Sequence, residues 1–311
     1  MYSNYSPSAA HLHRLRALAG DDAVAEIGDE ASALALAPQL EIVLGHRYLR
    51  QIMPRAERLR WVQSSAAGVD HLPCPELAQR GVLLSRNPVN SDAIAHHVIA
   101  MAWALQRRLP AAVDAQRAGR WAAPFVMLPA PRRALVLGLG EIGLRVAALL
   151  RGLGVHVRGS SRSGSPTQRA ACDEFVDAGR WHAVLPDTDL LVLALPLTRD
   201  TRLCIGAAEL ARLPADAVLI NVARAGLVDL AEVIGALQRG QLGGAGLDVL
   251  DPVPAADDAL WRMPELLITP KVSAYHPRMQ ADFESFVESQ LLRFRSGQPL
   301  QSTVDAAAYG E

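Results

Sequence analysis

Lys271 is the only lysine of the chain, although lysine and arginine together number 31. An arginine keeps its proton at physiological pH. A lysine starts near a pKa of about 10.4 and can be brought to about 7–8 by burial and neighbouring cations. One ammonium placed after a proline, at the end of the apolar run "LLITPK", is therefore a candidate proton donor. The plainer alternative is one residue left over by arginine-biased codon usage. A second group is "GLGEIG", with Gly138, Gly140 and Gly143. It follows a strand-like run and opens a helix-like one, the context in which such glycines hold a dinucleotide. Gly138 permits a tight turn, Gly140 lets a pyrophosphate approach the backbone, and Gly143 lets helix and strand pack closely. About 20 residues further on, an acid would bind the ribose 2′-OH of NAD. The segment there is "GSSRSGS" (159–165). Ser161 and Arg162 replace the acid, and an arginine accepts a 2′-phosphate, which favours NADP(H) and leaves NAD(H) as the second cofactor.

The elements that must position these residues show in the periodicity. "HLHRLRAL" has helical spacing, with His11 and His13 expected on a solvated face. "LEIVLG" (40–45), "RLRWVQSS" (58–65) and "GVLLS" (81–85) read as short buried strands. A long helix over 91–108 is capped by Ser91 or Asp92 and stopped by Pro110, and the proline-rich "PFVMLPAPRR" (124–133) leads into a new domain. From 133 onward, strands "RALVLG", "VHVRGS", "DLLVLALP", "AVLINVA", "GGAGLDVL" and "LLITP" alternate with helical segments. That alternation predicts an α/β fold: doubly wound parallel sheets in two Rossmann- or flavodoxin-like domains, with the active site in the cleft between them. The apolar C-terminal helix after 278 is expected to return to the first domain. Residues 1–92 and 279–311 then form a discontinuous substrate domain, and 93–278 the dinucleotide domain.

Composition narrows the classes. A net charge of −1 gives no electrostatic case for nucleic acid. Cys74, Cys172 and Cys204 are scattered and lack a CxxC, which argues against a disulfide framework or a metal site and fits a reducing cytoplasm. The N-terminus lacks an apolar signal core and no run reaches the roughly 18 apolar residues of a membrane span, so no membrane association is expected.

Several segments together resemble the D-isomer-specific 2-hydroxyacid dehydrogenases over nearly the whole chain. These are "WVQSSAAGVDHL" (61–72), "VLGLGEIGLRVA", "LALPLTRDTRLCI" (193–205), "LINVARAGLVD" (219–229), "GAGLDV" (244–249) and "ITPKVSA" (268–274). The "SSRS" turn and the "SAY" tail are most similar to the glyoxylate/hydroxypyruvate reductase branch. The resemblance implies hydride transfer between a nicotinamide and C2 of a small 2-oxo acid, in a protein that dimerises through its nucleotide domain. It implies that the backbone of Ala66, Ala67 and Gly68 holds the substrate carboxylate, and that Arg224 binds and polarises the substrate. Val222, Ala223 and Asp248 would border the nicotinamide. Glu141, Ile142, Leu195, Pro196, Thr201, Lys271 and Ser273 fall on further cofactor-binding positions.

Two positions depart from the family pattern. Val253 stands where the family keeps a glutamate, and Lys271 where it keeps the histidine acid. The two changes suit each other. A carboxylate would raise a lysine pKa, whereas an apolar residue adds desolvation and Arg224 adds like-charge repulsion, both of which lower it. Asp251 is an alternative carboxylate and His276 an alternative acid. His96 also departs, where the family has Glu, and is expected to pack its helix. Loss of turnover, leaving a cofactor-binding regulatory protein, is the rival implication, and reduction of a different carbonyl or an imine is a third.

Overall fold

The computed structural model describes residues 5–20, 23–121 and 126–309. Pro124 and Phe125 of the proline-rich stretch lie outside the described residues. The chain forms two compact units, one of Met1–Asn90 with His276–Glu311 and one of Ser91–Tyr275.

The first unit runs α1 (Ala9–Ala19), α2 (Glu30–Leu36), β1 (Ile42–Leu44), α3 (Leu49–Ile52), β2 (Trp61–Gln63), α4 (Cys74–Gln79) and β3 (Leu83–Ser85). Its three strands form a parallel sheet in the order β1-β2-β3. Trp61 is fully buried and donates its indole N–H to Ser85 Oγ at 2.8 Å, so the largest side chain of the sheet leaves no polar atom unpaired.

The second unit opens with α5 (Ser91–Gln106) and α6 (Leu109–Arg117). Pro110 does not stop the first of these helices. Arg108 breaks it in the left-handed region (φ 52°), and Pro110 sits in the first turn of α6, where its missing N–H costs nothing. There follow β4 (Arg133–Leu137), α7 (Glu141–Gly152), β5 (His156–Ser161), α8 (Pro166–Ala170), β6 (Glu174–Asp177), β7 (Leu190–Leu193), α9 (Ala207–Leu210), β8 (Val218–Asn221), α10 (Leu230–Gln238), β9 (Gly244–Leu247) and β10 (Leu266–Ile268). All seven strands are parallel, in the order β10-β9-β8-β7-β4-β5-β6. Alternate residues feed two cores. Ala134, Val136, Leu190, Val192, Val218 and Ile220 pack with α5 and α7 on one face. Leu135, Leu137, Leu191, Leu193 and Leu219 pack with α10 on the other. Burial on both faces explains why these strands read as continuous apolar runs.

The chain then returns to the first unit through α11 (Met279–Arg295), which packs on α1. His11 is fully buried there rather than solvated, because Glu288 Oε1 lies 2.6 Å from its Nδ1 and Tyr5 bonds its other ring nitrogen. His13 is exposed.

Candidate active site

Parallel strands put all their C-terminal ends on one edge of the sheet. In the second unit the register is level there: Leu137 lies beside Leu193, Leu193 beside Asn221, Asn221 beside Leu247, and Leu247 beside Ile268. On its other side Leu137 lies beside Ser160. The residues that follow are Gly138, Ala194, Val222, Asp248, Thr269 and Ser161. With strands about 4.8 Å apart, these loops form one continuous rim. The strand order reverses between β5 and β7 around β4, and ligands of open α/β sheets bind at such a switch point.

The glycine turn fits a dinucleotide. Gly138 has φ 96°, and a Cβ there would meet the Ala194 carbonyl oxygen at 2.5 Å and Leu195 N at 2.7 Å. A Cβ on Gly143 would lie 1.8 Å from the Gly138 oxygen. Gly140 is the extended N-cap of α7, and Glu141 and Ile142 begin that helix. The turn thus presents helix N–H groups to the switch point, as an anion site requires.

Each neighbouring loop is braced by its own side chain. Thr201 Oγ1 accepts from Thr198 N–H and donates to the Pro196 carbonyl, both at 2.7 Å, so its one proton is used inside the 196–201 loop. Asn221 is fully buried. Its Nδ2 donates to the Arg224 carbonyl at 2.8 Å and its Oδ1 accepts from Ala223 N–H at 3.0 Å. Val222, Ala223 and Arg224 are therefore folded around an asparagine that the sequence reading passed over. Arg224 is half-buried and donates from Nη1 to the Ala223 carbonyl at 2.8 Å.

The Lys271 loop is braced by Asp248, which is 1% exposed. Asp248 Oδ1 accepts from Thr269 Oγ1 at 2.6 Å and from Val272 N–H at 3.0 Å, and Oδ2 accepts from Ser273 N–H at 3.1 Å. Lys271 N–H bonds the Thr269 carbonyl at 2.9 Å. Between those anchors Lys271 stands in the left-handed region, φ 55°, a conformation that side-chain-bearing residues adopt only when the surroundings impose it. His97 Nε2 approaches Thr269 Oγ1 at 3.0 Å and Asp248 Oδ1 at 3.8 Å.

The structure departs from two expectations here. Val253 is 70% exposed and Lys271 is exposed, so the valine does not bury the lysine; its polar loop held it on the surface. His96 does not pack its helix: it is exposed, and His97, one residue on, faces inward. Asp251 is exposed. His276 falls in the first unit, and its Nε2 is buried without a hydrogen-bond partner among the described residues.

In the first unit Ala66, Ala67 and Gly68 follow β2 and are half-buried. Ala66 N–H donates to Ser64 Oγ at 3.1 Å, and the Ala66 carbonyl accepts from Asn87 N–H at 3.0 Å. His46, just past the end of β1, has Nδ1 3.3 Å from Ser64 Oγ and meets the His71 ring edge-on at 4.8 Å. Burial pushes its imidazole pKa down, which favours the neutral ring. The strand-end position in "IVLGH" was the sequence signal for it.

Among the described residues no group of three His, Cys, Asp or Glu could hold a metal ion, and no helix is long and apolar enough to cross a membrane. Cys74, Cys172 and Cys204 are free thiols. Burial pushes Cys74 and Cys204 up to about 11, which suits inert packing thiols rather than nucleophiles.

Comparison with known proteins agrees with this geometry. Residues 99–273 match the family described as D-isomer specific 2-hydroxyacid dehydrogenase, NAD binding domain. A glyoxylate reductase of Thermococcus kodakarensis is 29% identical over 271 residues, covering 83% of this chain and 80% of its own. Among solved structures, the NADPH-dependent glyoxylate/hydroxypyruvate reductase of Sinorhizobium meliloti, in complex with NADP and sulfate, is 31% identical. It superposes with a TM-score of 0.73, covering 87% of this chain and 86% of its own. A D-isomer specific 2-hydroxyacid dehydrogenase of Xanthobacter autotrophicus, in complex with NADPH and MES, is 28% identical with a TM-score of 0.77, over 99% of this chain and 98% of its own. The glycine turn, the switch-point rim and the matched span together make this chain a member of the D-isomer-specific 2-hydroxyacid dehydrogenase family, an NAD(P)-dependent oxidoreductase.

Proposed function

We propose that this protein is an NADP(H)-preferring reductase of small 2-oxo acids of the glyoxylate or hydroxypyruvate kind, giving the D-2-hydroxy acid. The observation that carries the reading is the rim of the second unit. Its β5 turn offers serines and an arginine in place of an acid, and its β10 turn displays one fixed lysine. The nucleotides bound in the Sinorhizobium and Xanthobacter relatives support the cofactor choice.

Gly138, Gly140, Glu141, Ile142 and Gly143 would hold the pyrophosphate, Ser161 and Arg162 the 2′-phosphate. Leu195, Pro196, Thr201, Val222, Ala223, Asp248 and Ser273 would border the rest of the dinucleotide. When bound, the reduced nicotinamide supplies the hydride for C2. The backbone of the Ala66–Gly68 segment would hold the substrate carboxylate, chiefly through the N–H groups of Ala67 and Gly68, since that of Ala66 is given to Ser64 Oγ. Arg224 orients the substrate and draws charge onto its carbonyl oxygen. Lys271 gives a proton from Nζ to that oxygen as the alkoxide develops, a step that arginine cannot perform at neutral pH. The left-handed backbone and the Asp248 brace fix the stretch of chain from which the Lys271 side chain extends, which would spare part of the reorganisation during the reaction.

The test is turnover of glyoxylate, hydroxypyruvate, pyruvate and bulkier 2-oxo acids, each with NADPH and with NADH, in the presence and absence of ammonium. Reduction of the two small acids with NADPH is expected. No turnover of any acid with either nucleotide would sink the reading, and turnover that needs an amine would redirect it to imine reduction.

We also infer a homodimer formed through the second unit. Leu109 (52% exposed) and Val113 (41%) lie one turn apart on α6, and Trp121 (103%) and Val126 (86%) follow it. A soluble monomer rarely leaves such a set of apolar side chains in water.

A further inference from the structure

The turn after β5 is built around one side chain. Gln168 Oε1, on α8, accepts from the hydroxyls of Ser161 and Ser163, both at 2.8 Å, and from Ser165 N–H at 2.9 Å. Its Nε2 donates to the Leu139 carbonyl at 2.9 Å, inside the glycine turn. Three donors on the oxygen and one acceptor on the nitrogen fix which way the amide points. One carboxamide therefore shapes the whole 161–165 turn and ties it to the glycine turn. The charged groups around it are Arg162, which is exposed, Arg169 and Asp177. Arg169 donates to the Gly164 carbonyl at 2.9 Å, lies 4.2 Å over the Phe175 ring, and approaches Asp177 at 3.9 Å.

We propose that Gln168 is a specificity-determining residue that favours NADP(H) over NAD(H), because its neutral oxygen orders this turn without repelling a 2′-phosphate. The proposal rests on the NADP(H) reading above. A serine hydroxyl has one proton to give. Before the nucleotide binds, Ser161 and Ser163 give theirs to Gln168. A phosphate is a charged acceptor, and charge-assisted hydrogen bonds are roughly twice as strong as neutral ones, so both hydroxyls turn to it. The Ser165 N–H and Leu139 bonds keep the turn in place while they do. A carboxylate at 168 would compete for the same protons on equal terms, would attract Arg162 and would repel the phosphate. NAD(H) ends in an uncharged 2′-OH and meets none of these effects. A residue that merely supported the fold would weaken both nucleotides together.

The experiment is equilibrium titration of NADPH and NADH against the intact protein and its Gln168→Glu, Gln168→Leu and Arg162→Ala variants. Gln168→Glu is expected to weaken NADPH roughly 10-fold or more while NADH changes by less than about 2-fold. Gln168→Leu, which loosens the turn without adding charge, should weaken NADPH by less, and still more than NADH. A Gln168→Glu protein that binds both nucleotides unchanged, or loses both equally, overturns the proposal. If Arg162→Ala lowers the NADPH preference and Gln168→Glu does not, only Gln168 is wrongly assigned. If the intact protein binds both nucleotides alike and Arg162→Ala leaves them alike, the NADP(H) reading falls and this proposal with it.

Discussion

Thr269 Oγ1 donates a 2.6 Å hydrogen bond to Asp248 Oδ1. Its proton being used there, the same hydroxyl can only accept from His97 Nε2, 3.0 Å away. The imidazole thus holds the hydroxyl, the hydroxyl holds the carboxylate, and the carboxylate holds the amides of Val272 and Ser273 on the far side of Lys271.

Breaking this chain should cost turnover more than cofactor affinity. Thr269→Val and His97→Leu each leave the turn without one anchor, and a loosely aimed proton donor loses rate. We expect kcat to fall roughly 10- to 100-fold at saturating substrate with little change in NADPH affinity. Thr269→Ser and His97→Gln, which keep the donors, should recover most of the loss. Stopped-flow rates beside nucleotide titrations decide it, and a loss of NADPH binding that matches the loss of kcat would reduce the chain to scaffolding.

Lys271→Arg keeps the charge and removes the titrating proton. If Lys271 is the acid, kcat should drop roughly 10²- to 10⁴-fold with NADPH binding nearly unchanged. Near-normal kcat in the variant would mean that charge alone suffices, and His276 would be the next residue to replace.

Much of this was legible in the chain itself. Strands buried on both faces announce themselves as apolar runs, and "DLLVLALP", "AVLINVA" and "LLITP" contain β7, β8 and β10. The edge strand β6, "EFVD", escaped because it has one buried residue and no apolar run. Glycines 138 and 143 were readable because their constraint is local backbone space. The braces were harder. Thr269 and His97 act through hydrogen bonds to distant segments, and Asn221 through bonds to the loop that follows it, and no residue type or spacing marks any of the three. His96 and His97 are adjacent, and only the rotation of α5 decides which one turns inward. Gln168 left a trace, since "SPTQ" (165–168) has the spacing of a capping box, which the structure contains. The pairing of Val253 with Lys271 rested on assumed burial, and side-chain exposure in a loop is not written in sequence.

The exposed apolar set on and after α6 leads to a measurable mass. Sedimentation or light scattering should give a dimer, and Trp121→Arg with Leu109→Arg should shift it toward monomer, because each change puts a charge where apolar surface would be covered. A monomer at all concentrations in the unmodified protein would remove the inference.

Glu284 should make the first unit acid-sensitive. Burial alone would push its carboxyl pKa up. The Ser8 N–H and hydroxyl, both at 2.8 Å, Gln280 Nε2 at 3.0 Å and nearby His11 outweigh that and hold it below the usual carboxylate value. Arg14 and Glu288 complete the charged groups around it. A carboxyl whose pKa is lower folded than unfolded stabilises fully above the unfolded value, about 4.3, and the contribution is lost as pH falls through the folded value. Glu284→Gln removes that titration and weakens the bonds that join α11 to the N-cap of α1. At pH 7 the variant should therefore melt lower, by roughly 1–3 kcal/mol of stability. The gap between the two proteins should narrow as pH falls below the unfolded value of about 4.3 and on through the lower value of the folded carboxyl. Melting temperatures of both proteins across that range give the answer. A gap that stays constant with pH would mean that packing, rather than the ionised carboxylate, fastens α11 to α1.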